Sequence, residues 1–332
     1  MPIPNIAPED WQPVADMAML RQRARLLAKI RKFFAERGVL EVETPLLAST
    51  TATDPHLASI EVHYPALMEG IGTGQSGRRL FLQTSPEFFM KRLLAAGSGP
   101  IFQICKAFRE GEAGRYHNPE FTLLEWYRPG FDRDRLIDEV QSLIRAILPI
   151  GPARQLTYRE AFQRHANLDP LGAPLSVLQE RAVGLGADPE DARSFDRDTY
   201  LDLILSRIVQ PALGPGAVFL SRFPATQAAM ARLATDDPRV AERFELFVDG
   251  IELANGYHEL TDSREQRDRF IADNEKRRHM GLAGLPIDER LLMALNHGMP
   301  DCAGVALGID RLLMLSADKN LDAVMAFPFS RI

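Results

Sequence analysis

The sequence offers little that would mark it for export, for a membrane or for a metal cage. It holds only two cysteines, Cys105 and Cys302, each alone in an apolar setting. That leaves no disulfide framework and no CxxC-type cluster to hold a metal. Both read as buried thiols of a reducing compartment. No apolar run approaches the roughly 20 residues that a membrane helix needs, so no membrane partner is expected. The opening segment, MPIPNIAPEDWQPVADM, lacks both a basic n-region and a continuous apolar h-region, which argues against secretion. An excess of positive charge is missing too. The net charge of −6 argues against broad capture of nucleic acid while leaving a local basic patch open. Repeats and low-complexity tracts are absent. A cytoplasmic, globular protein is the expectation.

At 332 residues with 45% hydrophobic and 25% charged residues, the chain can fold as one large domain or as two smaller ones. Residues 1–13 carry four prolines and read as an irregular lead-in. From Val14 to Arg37, the apolar residues Met17, Leu20, Leu27, Ile30, Phe33 and Phe34 recur at near-helical spacing, and Gly38 stops the helix. Val39 to Pro45 alternates like a strand whose terminal proline suits an edge or an interface. Arg79 to Gln83 reads as a short strand. Ser85, Pro86 and Glu87 then open a helix as N-cap, first helical position and first-turn acid, and that helix ends at Gly97. Ile101–Phe108 and Thr122–Tyr127 read as two strands around a polar loop. Residues 151–216 read as a helical insertion. Strands return from Ala217, and Asp249-Gly250 marks a two-residue hairpin turn. A strand-like run from Gly304 passes into a helix ending near Leu315. Hairpins with helices outside them point to an α+β fold built on an antiparallel sheet.

Three places carry chemistry. The loop from Arg109 to Glu120 gathers Arg109, Glu110, Gly111, Glu112, Arg115, His117 and Asn118 at a hairpin tip. Arginine forks there could wrap a polyphosphate; taken alone, the loop is better read as a solvated charged surface. The second place holds Glu245, Glu252 and Glu259, seven residues apart. With the turn at Asp249-Gly250, Phe247 pairs with Glu252 and Glu245 with Ala254, which puts Glu245 and Glu252 on one face. Two carboxylates so close call for a cation, and Mg²⁺ completed by phosphates fits; a pair of surface acids is the other reading. The third is Gly304-Val305-Ala306-Leu307-Gly308-Ile309-Asp310-Arg311. Its glycines could let backbone approach a flat ligand or simply allow tight packing.

Joined in order, FR…RYHNPEFTLLEWY, FELFVDGIELANGYHELTD and GVALGIDRL resemble the class II aminoacyl-tRNA synthetase catalytic core, in its lysine-specific branch. Motif 1 corresponds to Gly38–Pro45, motif 2 to Phe108–Tyr127 and motif 3 to Gly304–Leu315. The resemblance runs from residue 14 to 332, apart from 151–216, and implies a class II catalytic fold, an antiparallel sheet flanked by helices. The N-terminal anticodon-binding OB-fold domain of lysyl-tRNA synthetases has no counterpart before the first helix. The chain therefore resembles the elongation factor P lysine ligase family. That implies an ATP- and Mg²⁺-dependent enzyme that adenylates lysine, preferably (R)-β-lysine. The lysyl group would pass to a lysine side chain of elongation factor P, a protein of tRNA-like shape, rather than to tRNA. Motif 1 implies a two-fold homodimer.

By the same resemblance Arg109 would hold the α-phosphate and the substrate carboxylate. Arg115, His117 and Arg311 would face the β- and γ-phosphates. Asn118 would lie on ATP, Phe121 would stack on adenine, and Gly308 would admit the nucleotide to the backbone. The family's adenine-facing glutamate position is Gly111 here, so Glu110 and Glu112 both stay candidates. Glu245 and Glu252 would hold Mg²⁺, with the backbone at Leu253 touching ATP. Ser85, Pro86, Glu87, Glu125, Tyr127, Asn255 and Glu259 would form the lysine pocket. Ala306, where lysyl-tRNA synthetases commonly carry glycine, would reshape its floor toward a β-amino acid. Two other readings stay open at this point: a truncated lysyl-tRNA synthetase paralogue that acylates tRNA, and a non-catalytic synthetase-like binding module.

Overall fold

The computed structural model describes residues 11–64, 78–193 and 195–332; most of the lead-in expected over residues 1–13 lies outside them. The chain begins with helix α1 (Met17–Ala35), strands β1 (Leu40–Glu41), β2 (Leu47–Ala48), β3 (Glu61–Tyr64) and β4 (Arg78–Leu82) and helix α2 (Glu87–Ala95). Strands β5 (Ile101–Phe108) and β6 (Glu120–Pro129) lead to helix α3 (Arg133–Ile147) and strand β7 (Arg154–Thr157). Helices α4 (Tyr158–Ala166), α5 (Leu175–Gly184), α6 (Pro189–Ala192), α7 (Arg197–Ile204) and α8 (Gln210–Ala212) come next. After them run β8 (Ala217–Pro224), β9 (Val240–Val248), β10 (Ile251–His258), α9 (Ser263–His279) and α10 (Glu289–Gly298). Strand β11 (Cys302–Gly308) and helices α11 (Ile309–Ala317) and α12 (Leu321–Val324) complete the order.

The main sheet has eight strands in the order β1-β5-β6-β11-β10-β9-β8-β7, and a second sheet has the order β2-β4-β3. Strands β8 to β11 pair antiparallel, whereas β1 with β5 and β7 with β8 are parallel. The chain divides into two compact units. One comprises Met1–Trp126, Asp262–Pro300 and Gly308–Ile332, and the other Tyr127–Thr261 and Asp301–Leu307.

In the first unit, Asp16 caps α1 by accepting the Met19 N–H at 2.7 Å, and Gly38 beyond its end adopts a positive φ of 64°, where a side chain would be strained. The buried stripe is Met19, Leu26, Ile30, Phe33 and Phe34. It is rotated from the expected one, leaving Met17 exposed and Leu27 half-buried. Phe34 stacks on Phe102 at 4.5 Å and meets Trp126 edge-on at 5.2 Å, which ties α1 to the β5 and β6 strands. The strand expected over Val39–Pro45 shrinks to Leu40–Glu41 at the sheet edge, since pairing with β5 ends there. Helix α2 begins at Glu87 with Pro86 at the cap, not with Ser85 there. Proline has no N–H, so the first amide available to the Ser85 hydroxyl is that of Glu87, at 3.3 Å.

In the second unit the 151–216 stretch contains α4 to α8 and also β7, a strand whose four residues gave no alternating signal. Thr157 and Glu160 form a reciprocal capping box at the start of α4. The stretch builds a core of its own around Tyr158, Phe162, Leu178, Tyr200 and Leu201, with Val218, Leu220 and Phe247 from the sheet packed against it.

Candidate active site

The first unit gathers the phosphate-type residues. Strands β5 and β6 present the loop 109–119, closed by the Arg109 N–H to Pro119 O bond at 2.9 Å and by a Gly114–His117 bridge. Gly111 takes φ +77°, a conformation that a glutamate would adopt only with strain. This gives a conformational reason for glycine at the position where the family carries its acid. Of the flanking candidates, Glu112 meets Arg109 at 3.6 Å, while Glu110 is exposed. The Arg109 guanidinium lies 5.0 Å over the Phe121 ring, and its Nε is buried with no hydrogen-bond acceptor among the described residues. A buried donor aimed at nothing is costly, and a phosphate or carboxylate oxygen would satisfy it.

Arg311, in the first turn of α11, donates from Nε to Tyr116 O at 3.1 Å and from Nη2 to His117 Nε2 at 2.9 Å. Motifs 2 and 3 therefore meet at His117. Arg115 is exposed and lies over the Tyr116 ring. A Cβ added at Gly308 would approach nothing closer than Arg311, at 3.8 Å, so the glycine is not explained by packing and leaves its backbone approachable. Asn118 is used structurally. Its Oδ1 accepts the Phe329 N–H at 2.8 Å and its Nδ2 donates to Glu120 O at 2.6 Å, so its side chain braces the loop.

Asp310, which precedes Arg311, is 3% exposed. It accepts from Arg23 Nη1 and from the Thr122 N–H, each at 2.6 Å, and Arg23 Nη2 also reaches Thr122 Oγ1 at 2.6 Å. This network joins α1, the β6 strand and α11, and fixes where the motif 3 arginine emerges. Its only mark in the sequence is an acid beside an arginine at a helix start. On α2, Glu87 is partly buried beside Lys91. Glu125 on β6 is 2% exposed.

The second unit gathers the other carboxylates. The Asp249-Gly250 turn has φ of +51° and +74°, the paired positive values of a type I′ hairpin, and Phe247 pairs with Glu252 as expected. The expected Glu245–Ala254 pair does not form. A bulge between Glu252 and Ala254 shifts the register, so that Ala254 faces Leu246 and Asn255 faces Glu245. The extra residue turns the strand by one step. It keeps Glu245 and Glu252 on one face and brings Asn255 to that face as well, which strict alternation would have denied. Across the next pairing, Asn255 stands opposite Ala306, so Glu245, Asn255 and Ala306 form one row over β9, β10 and β11.

Arg243, not singled out from sequence, organises this face. It donates to Glu245 Oε1 at 2.6 Å, to Asn255 Oδ1 at 3.3 Å and to Gln227 O at 2.7 Å, and lies over Phe223. Burial pushes the Glu245 carboxyl above the ordinary carboxylate range; Arg243 opposes that push and the nearby charge of Glu252 adds to it. Two acids in mutual repulsion fit a cation. Among the described residues, no three His, Cys, Asp or Glu side chains gather into a cage. A hard divalent ion held by Glu245 and Glu252 would need phosphate oxygens to complete its shell.

The neighbouring row closes tightly. A Cβ at Gly304 would collide with the Tyr127 ring and come within 2.6 Å of Glu259 Oε1, so this glycine is explained by packing. Tyr127 is 2% exposed and Glu259 1%. Cys105, near Glu125, has its thiol pushed up to about 12 by burial first and the Glu125 charge second.

The family model of class II tRNA synthetases (D, K and N) matches residues 14–331. The chain belongs to the class II tRNA synthetase family. Its relatives include the elongation factor P–(R)-β-lysine ligase of Salmonella arizonae, 52% identical over 97% of this chain and 98% of the relative. The ligase of the same name from Hamiltonella defensa matches at 52% over the same shares. That of Erwinia tasmaniensis matches at 53%, again over 97% and 98%. The chain is a member of the family these ligases form. As a class II synthetase-family protein it carries ATP use with its fold. No helix among the described residues is long and apolar enough to cross a membrane.

Proposed function

We propose that this chain adenylates lysine, preferably (R)-β-lysine, and transfers it to a lysine side chain of elongation factor P. The observation that carries the reading is the near end-to-end match to ligases of that name, 97% of this chain against 98% of theirs. Arg109, with its buried unsatisfied Nε, would bind the substrate carboxylate and the α-phosphate. Its charge would balance the pentacovalent phosphorus as the carboxylate attacks in line and pyrophosphate leaves. Arg311, supported on Tyr116 and His117, would receive the outer phosphates with Arg115. Mg²⁺, held by Glu245 and Glu252, would supply positive charge for those phosphates. In the second step the acceptor amine attacks the acyl carbonyl and AMP departs, with no covalent enzyme intermediate.

Glu87, Glu125 and Glu259 would receive the ammonium groups of the diamino acid, and Tyr127 and Asn255 would orient it. Glu125 and Glu259 are buried to 2% and 1% exposure, and a buried carboxylate favours a cationic ligand strongly. The proposal extends to a cytoplasmic two-fold dimer formed through motif 1. Leu40 is exposed in that segment and Leu46 and Leu47 just beyond it, large apolar side chains of the kind that interfaces cover. The test is amino-acid-dependent ATP–pyrophosphate exchange across α-lysine, (R)-β-lysine and the other standard amino acids. Faster exchange with β-lysine is the expected result. No exchange in folded protein with Mg²⁺ would leave a binding module instead.

A further inference from the structure

Helix α2 buries a lysine that the reaction does not call for. Its buried residues are Met90, Lys91 and Leu94, and Lys91 is 0% exposed, with its Nζ 2.7 Å from Glu87 Oε1 one helical turn earlier. A buried ammonium is costly unless it is paired and hydrogen-bonded. A fold that only needed to fill this position between Met90 and Leu94 would be served by an apolar residue of similar length. Placing the lysine Nζ 2.7 Å from a carboxylate expected to bind a cationic substrate instead fixes that carboxylate's direction. We infer that Lys91 is a positioning residue for the amino acid, acting through Glu87.

A glutamate in the first turn of α2 has three side-chain torsions to lose on binding. The ion pair within one helical turn holds one carboxylate oxygen toward Lys91, so the second oxygen is presented in a fixed direction. The inference rests on the reading of Glu87 as part of the amino-acid pocket.

Pyrophosphate exchange with purified full-length protein tests it, using Lys91→Met, Glu87→Gln and the Glu87→Gln/Lys91→Met pair. We expect Lys91→Met to raise the KM for lysine and β-lysine at least tenfold and to leave the KM for ATP within twofold, a split that general loss of structure would not give. Because Lys91 acts through Glu87, the double variant should match Glu87→Gln alone in amino-acid KM, a non-additivity that holds even if the single lysine variant folds poorly. If Glu87→Gln raises KM while Lys91→Met does not, the inference fails and the reading of Glu87 stands. A double variant tenfold worse than Glu87→Gln, or equal losses for ATP and amino acid, would also overturn it. If Glu87→Gln itself leaves KM unchanged, the pocket reading and the inference fall together.

Discussion

Asp310→Asn is the most informative single change in the molecule. The carboxylate uses both oxygens: Oδ1 takes Arg23 Nη1 and Oδ2 takes the Thr122 N–H, each at 2.6 Å. An asparagine has one oxygen and one NH₂, so whichever way it turns, a donor confronts a donor. One charge-assisted bond is lost, about 1.5–3 kcal/mol, and a buried donor is left unpaired at about 1–3 kcal/mol. Arg23 is 21% exposed and can recover part of this from water, so the net cost is put at about 3 kcal/mol. For a chain of 332 residues that corresponds to a fall in Tm of about 4–5 °C. The assay is thermal unfolding followed by circular dichroism, together with the KM for ATP. Thr122 and Arg311 flank the network, so the KM for ATP should rise about tenfold while the amino-acid KM changes less. A Tm drop below about 3 °C, or an unchanged KM for ATP, would refute the claim that Asp310 clamps β6 to α11.

Other consequences follow from the same geometry. Gly304→Ala puts a methyl on the Tyr127 ring and Glu259 Oε1, which should cost about 1–3 kcal/mol of stability and raise the amino-acid KM at least tenfold, measured by exchange. Ala306→Gly, in the row with Asn255 and Glu245, should shift the ratio of α- to β-lysine activation toward α-lysine; an unchanged ratio would remove Ala306 from specificity. With its thiol pushed up to about 12, Cys105 should resist iodoacetamide at pH 8 in the folded protein, since only about one thiol in 10⁴ is ionised; rapid alkylation counted by mass spectrometry would contradict this. The raised value also means that the folded state holds its proton where the unfolded thiol has lost it. The contribution is intact below pH 9 and is lost as pH rises toward 12.

The catalytic motifs were legible because their residues are tied to chemistry and to short-range order: the hairpin turn at Asp249-Gly250, the two strands around loop 109–119, the strand passing into a helix at Arg311. What the sequence withheld was set by tertiary pairing. The bulge at Leu253 has no compositional mark, yet it decides that Asn255 rather than Ala254 stands opposite Glu245. Strand β7 is four residues long and exists through its parallel partner β8. The Val39–Pro45 pattern outlasts its pairing, because alternation reports a residue's faces and not the length of its neighbour. Arg243 and Lys91 show the same limit. Their i,i+2 and i,i+4 spacings to Glu245 and Glu87 were visible, but burial, which turns an ordinary ion pair into a constraint on the site, was not.

The acceptor is what most sets the proposed reaction apart from tRNA charging. Purified protein, ATP, Mg²⁺ and (R)-β-lysine incubated with unmodified elongation factor P, followed by intact-mass and peptide mass spectrometry, tests it directly. The expected result is a mass gain of one β-lysyl group on a single lysine of elongation factor P, and no acylation of tRNA(Lys) run in parallel. Acylated tRNA with unmodified elongation factor P would contradict it.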